Sequence, residues 1–202
     1  MEDYGKQREI EDDKADPSGF LKKARKHQSQ FRFGVLKLAE FDEYGNFLTI
    51  KDAENGNNFY NGFGVFEAVK KQNDFNKNLY QNMLRSEHIP FNLFVPLEKN
   101  KAFFMDVFNE VLNNKISSID LLLIEYAPQP RENYLKDRTS FDVYIEYSCK
   151  DNSKGIIGIE IKYTERSYNI GQKEQAETEN QESIYYDITK ESNTEYSTSK
   201  CA

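Results

Sequence analysis

Tryptophan is absent from this chain, and cysteine and histidine come close to it, with two of each among 202 residues. Cys149 and Cys201 are too few for a disulfide framework or a structural zinc site, and such scarcity suits a reducing compartment. His27 and His88 lie far apart and form no HExxH-like pair. Long apolar runs are missing as well. The longest clean aliphatic stretch is Leu121-Leu122-Leu123-Ile124, far short of the ~20 residues of a membrane span. The chain opens Met1-Glu2-Asp3-Tyr4-Gly5-Lys6, without the apolar core of a signal peptide. A cytoplasmic location without a membrane partner is the expectation. An excess of positive charge is also lacking: 34 acidic residues face 27 basic ones, for a net charge of −7. That argues against a sequence-blind nucleic-acid coat, which is usually basic overall. It leaves room for an enzyme that concentrates positive charge along one groove.

What the chain does have is Phe (15) and Tyr (13), enough bulk to pack an interior. Its length fits one domain with an added N-terminal layer. Composition divides it into a mobile N-terminal arm (1–19), an N-terminal extension (20–65), a core (66–170) and a polar C-terminal segment (171–202). Lys22, Lys23, Arg25, Lys26 and Arg32 cluster among Phe20, Phe31 and Phe33. Two readings stay open, a solvated basic helix face and a nucleic-acid contact through residues such as Lys26 and Arg32. From Phe66 the spacing of Val69, Gln72, Phe75, Leu79 and Met83 predicts a helix. Ser86 reads as the N-cap of a second, with Pro90 in its opening turns and Phe91, Phe94 and Leu97 buried later. Phe103, Met105, Val107, Phe108, Val111 and Leu112 mark a third. Ile116 to Tyr126 reads as a strand buried on both faces. Helices followed by strands predict an α/β (α+β) fold with a mixed central sheet flanked by helices.

The chemistry concentrates in two further strand-like runs. The first is Ser140-Phe141-Asp142-Val143-Tyr144-Ile145-Glu146-Tyr147; the second is Gly155-Ile156-Ile157-Gly158-Ile159-Glu160-Ile161-Lys162-Tyr163. Side chains alternate across a strand with period two. Phe141, Val143 and Ile145 therefore share one face and Asp142 and Tyr144 the other, while Ile157, Ile159 and Ile161 oppose Gly158, Glu160 and Lys162. The short polar link Lys150-Asp151-Asn152-Ser153-Lys154 suits adjacent antiparallel strands. Two carboxylates and an ammonium then project together, with Gly158 leaving open space beside them. A hard cation and an attacking water need such a set. The plain alternative is an exposed Glu-x-Lys pair that is merely solvated.

Asp142…Glu160-Ile161-Lys162 resembles the PD-(D/E)xK nuclease superfamily, the restriction-endonuclease-like fold. More narrowly, Arg85-Ser86-Glu87-His88-Ile89-Pro90-Phe91-Asn92-Leu93-Phe94, Asp137-Arg138-Thr139-Ser140-Phe141-Asp142 and Gly158-Ile159-Glu160-Ile161-Lys162-Tyr163-Thr164-Glu165 look like bacterial restriction endonucleases of that group. The resemblance implies a metal-dependent endonuclease acting on DNA, with Asp142, Glu160 and the Ile161 carbonyl holding Mg²⁺ or Mn²⁺. Lys162 would orient or deprotonate water, and Glu87 is a candidate further metal ligand, its other reading being a helix-dipole partner. Arg138 and Lys136, ahead of the Asp142 strand, are phosphate-contact candidates or solvated loop residues. Asp120 and Glu125 read as structural residues at the ends of a strand, and Glu165 as a supporting or plain surface group. Cutting both strands of a duplex implies a homodimer. The rival class is a non-catalytic nucleic-acid- or protein-binding module that keeps the fold; it predicts a displaced Asp142, Glu160 or Lys162, and none is displaced. The unpatterned C-terminal segment also raises the expectation of a chain truncated relative to this family.

Overall fold

The computed structural model describes residues 4–7, 16, 18–72, 80–113, 115–134, 139–165 and 172–186. The chain divides into two compact units, residues 1–126 with 140–165, and residues 127–139 with 166–202. The first unit runs α1 (Phe20–Gly34), α2 (Ile50–Glu54), α3 (Val65–Lys71), α4 (His88–Lys99), α5 (Lys101–Val111), β1 (Ile116–Tyr126), β2 (Phe141–Cys149) and β3 (Lys154–Ile159). The second contains a 3₁₀ turn, Arg131–Asn133, and α6 (Gln172–Glu179). The expected α/β class stands. Among the described residues no helix is long and apolar enough to cross a membrane.

The sheet has the order β1-β2-β3, and both pairings are antiparallel. A mixed sheet is therefore not what the described strands form. The β2–β3 link is too short for a parallel crossover. It closes instead as a hairpin, with Asn152 at φ 68 and the Cys149 N–H donating to the Ser153 carbonyl at 2.8 Å. Asn is among the residues that tolerate this left-handed conformation.

β1 departs from the expected two-sided burial. Ile116 and Ile119 are buried, Leu122 and Ile124 are partly buried against the same core, and Leu121 is exposed. The core-facing positions are not spaced by two throughout, because register shifts interrupt the pairing at Ile116/Ser118 and Ile119/Leu121. Each extra residue of a bulge moves the following side chains to the opposite face.

The helices differ in phase from the sequence reading. α4 opens at His88 with Glu87 in the N-cap position, one residue later than the Ser86 cap implies. Pro90 lies in its first turn, where no intrahelical donor is missed. On α5 the fully buried residue is Phe104, whose ring meets Phe108 at 5.0 Å between centroids. Phe103, Val107 and Val111 face solvent. The inward stripe is Phe104, Phe108 and Leu112, at the i, i+4 repeat. The helix predicted through Val69 ends at Lys71; Phe75 and Leu79 lie outside the described residues.

Two apolar clusters support the first unit. One joins Leu48, Phe59, Val65, Val69, Phe91 and Val95; the other joins Phe94, Phe104, Ile116, Ile119, Val143 and Ile145. α4 feeds both, with Phe91 and Val95 in the first and Phe94 in the second, and Ile124 packs against each. The N-terminal extension and the sheet are thereby tied through one helix.

Candidate active site

β2 and β3 build the floor of the site. Val143 pairs with Ile159 and Tyr144 with Gly158. Carried one step further, this register brings Asp142 opposite Glu160 just past the end of β3. Val143 and Ile145 are fully buried and Ile157, Ile159 and Ile161 pack on the same core, so Asp142, Glu160 and Lys162 face away from it. The strand itself stops at Ile159, and the backbone of the motif is held by a hydrogen bond from the Ile161 N–H to Asp142 Oδ2. Lys162 Nζ forms an ion pair with Glu160 Oε1, the two side chains being 65% and 58% exposed. A pair this open is worth about 0–1 kcal/mol and parts readily.

On the other side of β2, Ile124 pairs with Val143 and Tyr126 with Phe141, which sets Glu125 opposite Asp142. Three acids, Glu125, Asp142 and Glu160, thus occupy one row across the sheet. Glu125 is an exposed residue at φ 54, a left-handed conformation that costs a side-chain-bearing residue of order 1–3 kcal/mol. Its carboxyl is pushed up by partial loss of solvent, and further by the charges of Asp142, Glu87 and Glu160. Asp142 is likewise raised, by burial first, with the Ile161 N–H opposing and the Glu160 charge adding. Glu87 behaves oppositely. Burial would raise it, but Arg85 outweighs that through bonds from Nε at 3.1 Å and from the terminal nitrogen at 2.6 Å.

The segment after the motif is stapled to the start of α4. Ser86 Oγ donates to Glu165 Oε1 at 2.6 Å, the Tyr163 N–H donates to Glu165 Oε2 at 2.6 Å, and Thr164 Oγ1 donates to the Leu84 carbonyl at 3.1 Å. Ser86 thus serves the site segment instead of capping α4, and Glu165 holds the two chain segments together.

A family model described as the PD-(D/E)XK nuclease superfamily matches residues 11–199 of this sequence. The chain belongs to the PD-(D/E)XK nuclease superfamily. No curated protein and no solved structure matches it. Members of this superfamily typically use divalent metals. The donor chemistry here suits a hard cation, because Asp142, Glu160, Glu125 and Glu87 offer carboxylate oxygens whose mutual repulsion a cation would relieve. Among the described residues, however, no three acidic, histidine or cysteine side chains converge to coordinating geometry. Asp142, Glu160 and Glu87 each already have a protein partner in Ile161, Lys162 and Arg85. The set fits in kind, and the side chains must turn from those partners to ligate.

Several residues of this nuclease-superfamily chain take other places than their sequence pattern suggests. Arg32 does not line a nucleic-acid surface. It is fully buried, and its guanidinium donates to the carbonyls of Gly45, Leu38, Ala39, Glu40 and Tyr4. Lys26 is exposed on α1, while Lys136 and Arg138 lie outside the described residues. Gly158 does not leave open space: a Cβ there would meet the Phe141 ring at 2.5 Å. Phe141, expected on the core side, is 39% exposed and packs near Tyr144 at 5.9 Å between centroids. Asp120 is structural as expected, bonded by Ser118, Ser148 and Lys154, which hold its carboxyl well below the usual range. His88 is buried between Tyr80 and Phe59, near Asn58. Glu125 is the residue the sequence reading undervalued. A lone glutamate in an apolar strand was its only signal, and its facing depends on a register set across the β1–β2 connection.

Proposed function

We propose that this protein is a metal-dependent endonuclease that hydrolyses DNA phosphodiester bonds, in the manner of restriction endonucleases. The observation that carries the reading is the facing pair Asp142 and Glu160, with Lys162 on the same side, in a chain of the PD-(D/E)XK superfamily. Asp142, Glu160 and the Ile161 carbonyl would hold Mg²⁺ or Mn²⁺, with Glu87 as a further ligand. Bound there, the cation would polarise a phosphoryl oxygen and acidify its water. Paired with Glu160, Lys162 has its pKa raised, by that hydrogen bond first. An ammonium donates hydrogen bonds, which suits orienting the attacking water and balancing charge at phosphorus. In-line attack would leave 5′-phosphate and 3′-hydroxyl ends. Lys26, Lys136 and Arg138 are the phosphate-contact candidates, and two-strand cutting calls for a homodimer in the cytoplasm.

The test is incubation with supercoiled plasmid and Mg²⁺ or Mn²⁺, with a chelator as control. Nicked and linear products that vanish with chelator are expected. No cleavage with either ion would reject the catalytic reading and leave the non-catalytic binding module.

A further inference from the structure

A second feature adjoins the acidic row. A cavity of about 870 Å³ opens between α1, the loop 55–64 and the start of α4. That volume is in the usual range for small-ligand sites, about 300–1,000 Å³. Its walls are unusually rich in side-chain amides, with Gln28, Asn55, Asn57, Asn58, Asn61 and Asn92 among them. Aromatic rings stand beside these amides, including Phe31, Tyr60 and Tyr163. The charged wall residues are Glu67 and Arg85, and Arg85 is already bonded to Glu87 through two nitrogens. Among the described wall residues Arg85 is the cation, and an anion would compete with Glu87 for it. Gln28, Asn57, Asn58 and Asn92 are already bonded to Tyr163, Asp52, Tyr80 and Tyr60, so a flat, neutral, hydrogen-bonding group finds the amides of Asn55 and Asn61 to pair with.

The cavity shares chain segments with the acidic row. Tyr163 follows Lys162 directly, and its hydroxyl accepts a hydrogen bond from Gln28 Nε2 at 3.2 Å. Arg85 lines the cavity while holding Glu87. The loop is shaped to present a ring. Tyr60 stacks on Phe63 with centroids 6.2 Å apart and planes 21° apart, and both are exposed by more than half. Phe63 sits at φ 55, and a Cβ on Gly62 would meet the Tyr60 ring at 2.8 Å. The Tyr60 backbone N–H is anchored on Asn92 Oδ1 at 2.7 Å, and both residues line the cavity. Asn61, next to it, is exposed, and its amide makes no hydrogen bond among the described residues.

An amide offers a donor and an acceptor side by side, the pattern that Asn and Gln use against adenine. Aromatic faces stack on any base. Enzymes that read an unstacked base combine edge hydrogen bonds with such stacking. We propose that this cavity receives a nucleobase unstacked from the substrate strand beside the scissile phosphate. The inference rests on the nuclease reading and names what that site recognises.

Saturation-transfer NMR on the full chain, with chelator present, tests it. The probes are the four deoxynucleosides, with 2-deoxyribose 5-phosphate as the base-free control. Saturation should reach the base protons of at least one nucleoside and not the sugar phosphate. Asn61→Ala and Tyr60→Ala should abolish the signal; both residues are exposed, so the fold is spared. Lys162→Ala should keep it. No nucleoside response, a response from the sugar phosphate alone, or equal response in the cavity variants would overturn the proposal. The outcomes separate the two readings. Plasmid cleavage without a nucleoside response removes the cavity and keeps the nuclease. A nucleoside response without cleavage under either ion keeps the cavity as a base-binding site and removes the nuclease.

Discussion

Lys162 and Glu125 are the two side chains whose removal tells most about the site. Lys162 is exposed, and its partner Glu160 is exposed too, so removing the ammonium should cost the fold little. Catalytic positioning and proton-transfer groups contribute about 10²–10⁴-fold. Lys162→Ala is therefore expected to lose cleavage by that order while keeping the parent melting temperature; equal rates for the two proteins would return Lys162 to the surface. Glu125 carries a stability prediction of opposite sense. Its folded pKa is raised, so above that value the native state holds a charge it disfavours. Native protein then binds more protons than unfolded chain between the two pKa values, and stability falls as pH rises through that window. Glu125→Gln should raise the melting temperature at neutral pH, and the gain should disappear as pH falls toward about 4, the ordinary carboxylate range. A variant less stable than the parent at pH 7, measured by calorimetry across pH, would contradict this account.

Among the elements, β1 and β3 show how burial decides the consequences of substitution. Ile159 packs on the second core cluster and is the last residue of β3, two positions before the backbone N–H that holds Asp142. Ile159→Asp buries a charge without a partner. Broad or absent unfolding transitions in thermal melts are expected, together with loss of any metal response. Phe104 is a cleaner probe of the same core because it lies on α5, away from the acidic row. It is fully buried between Phe94 and Phe108, and Phe104→Ala should destabilise by about 3–5 kcal/mol in denaturant titration. The aromatic pattern of α5 was visible in sequence, but its phase was not. Phe103 and Phe104 are equally apolar, and only packing against β1 and α4 chooses between them. β1 poses the same difficulty more sharply. Its register shifts at Ser117 and Asp120 change the inward face twice, and nothing in Ile-Ser-Ser-Ile-Asp-Leu-Leu-Leu-Ile marks where.

For the molecule as a body, the carboxylate row should make stability depend on divalent cations. An ion bound to native but not unfolded chain stabilises by RT ln(1 + [L]/Kd), about 2.7 kcal/mol at a hundredfold excess over Kd. Mg²⁺ or Mn²⁺ should raise the melting temperature of the parent, chelator should reverse the rise, and Asp142→Asn should abolish it. Differential scanning fluorimetry reads all of these, and an unchanged melting temperature at saturating ion would argue against a resident cation. The response does not require cleavage, so it reports the site even under conditions where turnover is slow.

From the amino-acid pattern alone come the class of fold, the strand that carries Asp142, the strand that leads into Glu160-Ile161-Lys162, and the side on which these residues face. Strand alternation is local, which is why these were legible: Val143 and Ile145, or Ile157 and Ile159, declare their face within a few residues. Contacts between distant segments settled four other matters. They buried Arg32 among backbone carbonyls, where a basic helix face looked ready for phosphate, because the chain from Leu38 to Gly45 wraps its guanidinium. They filled the space at Gly158 with the Phe141 ring. They also brought Glu125 into the acidic row and gathered the amides of α1, the loop 55–64 and α4 around one cavity. Local periodicity carries no information about which distant partner a side chain will meet, so none of the four could be read before the chain was folded.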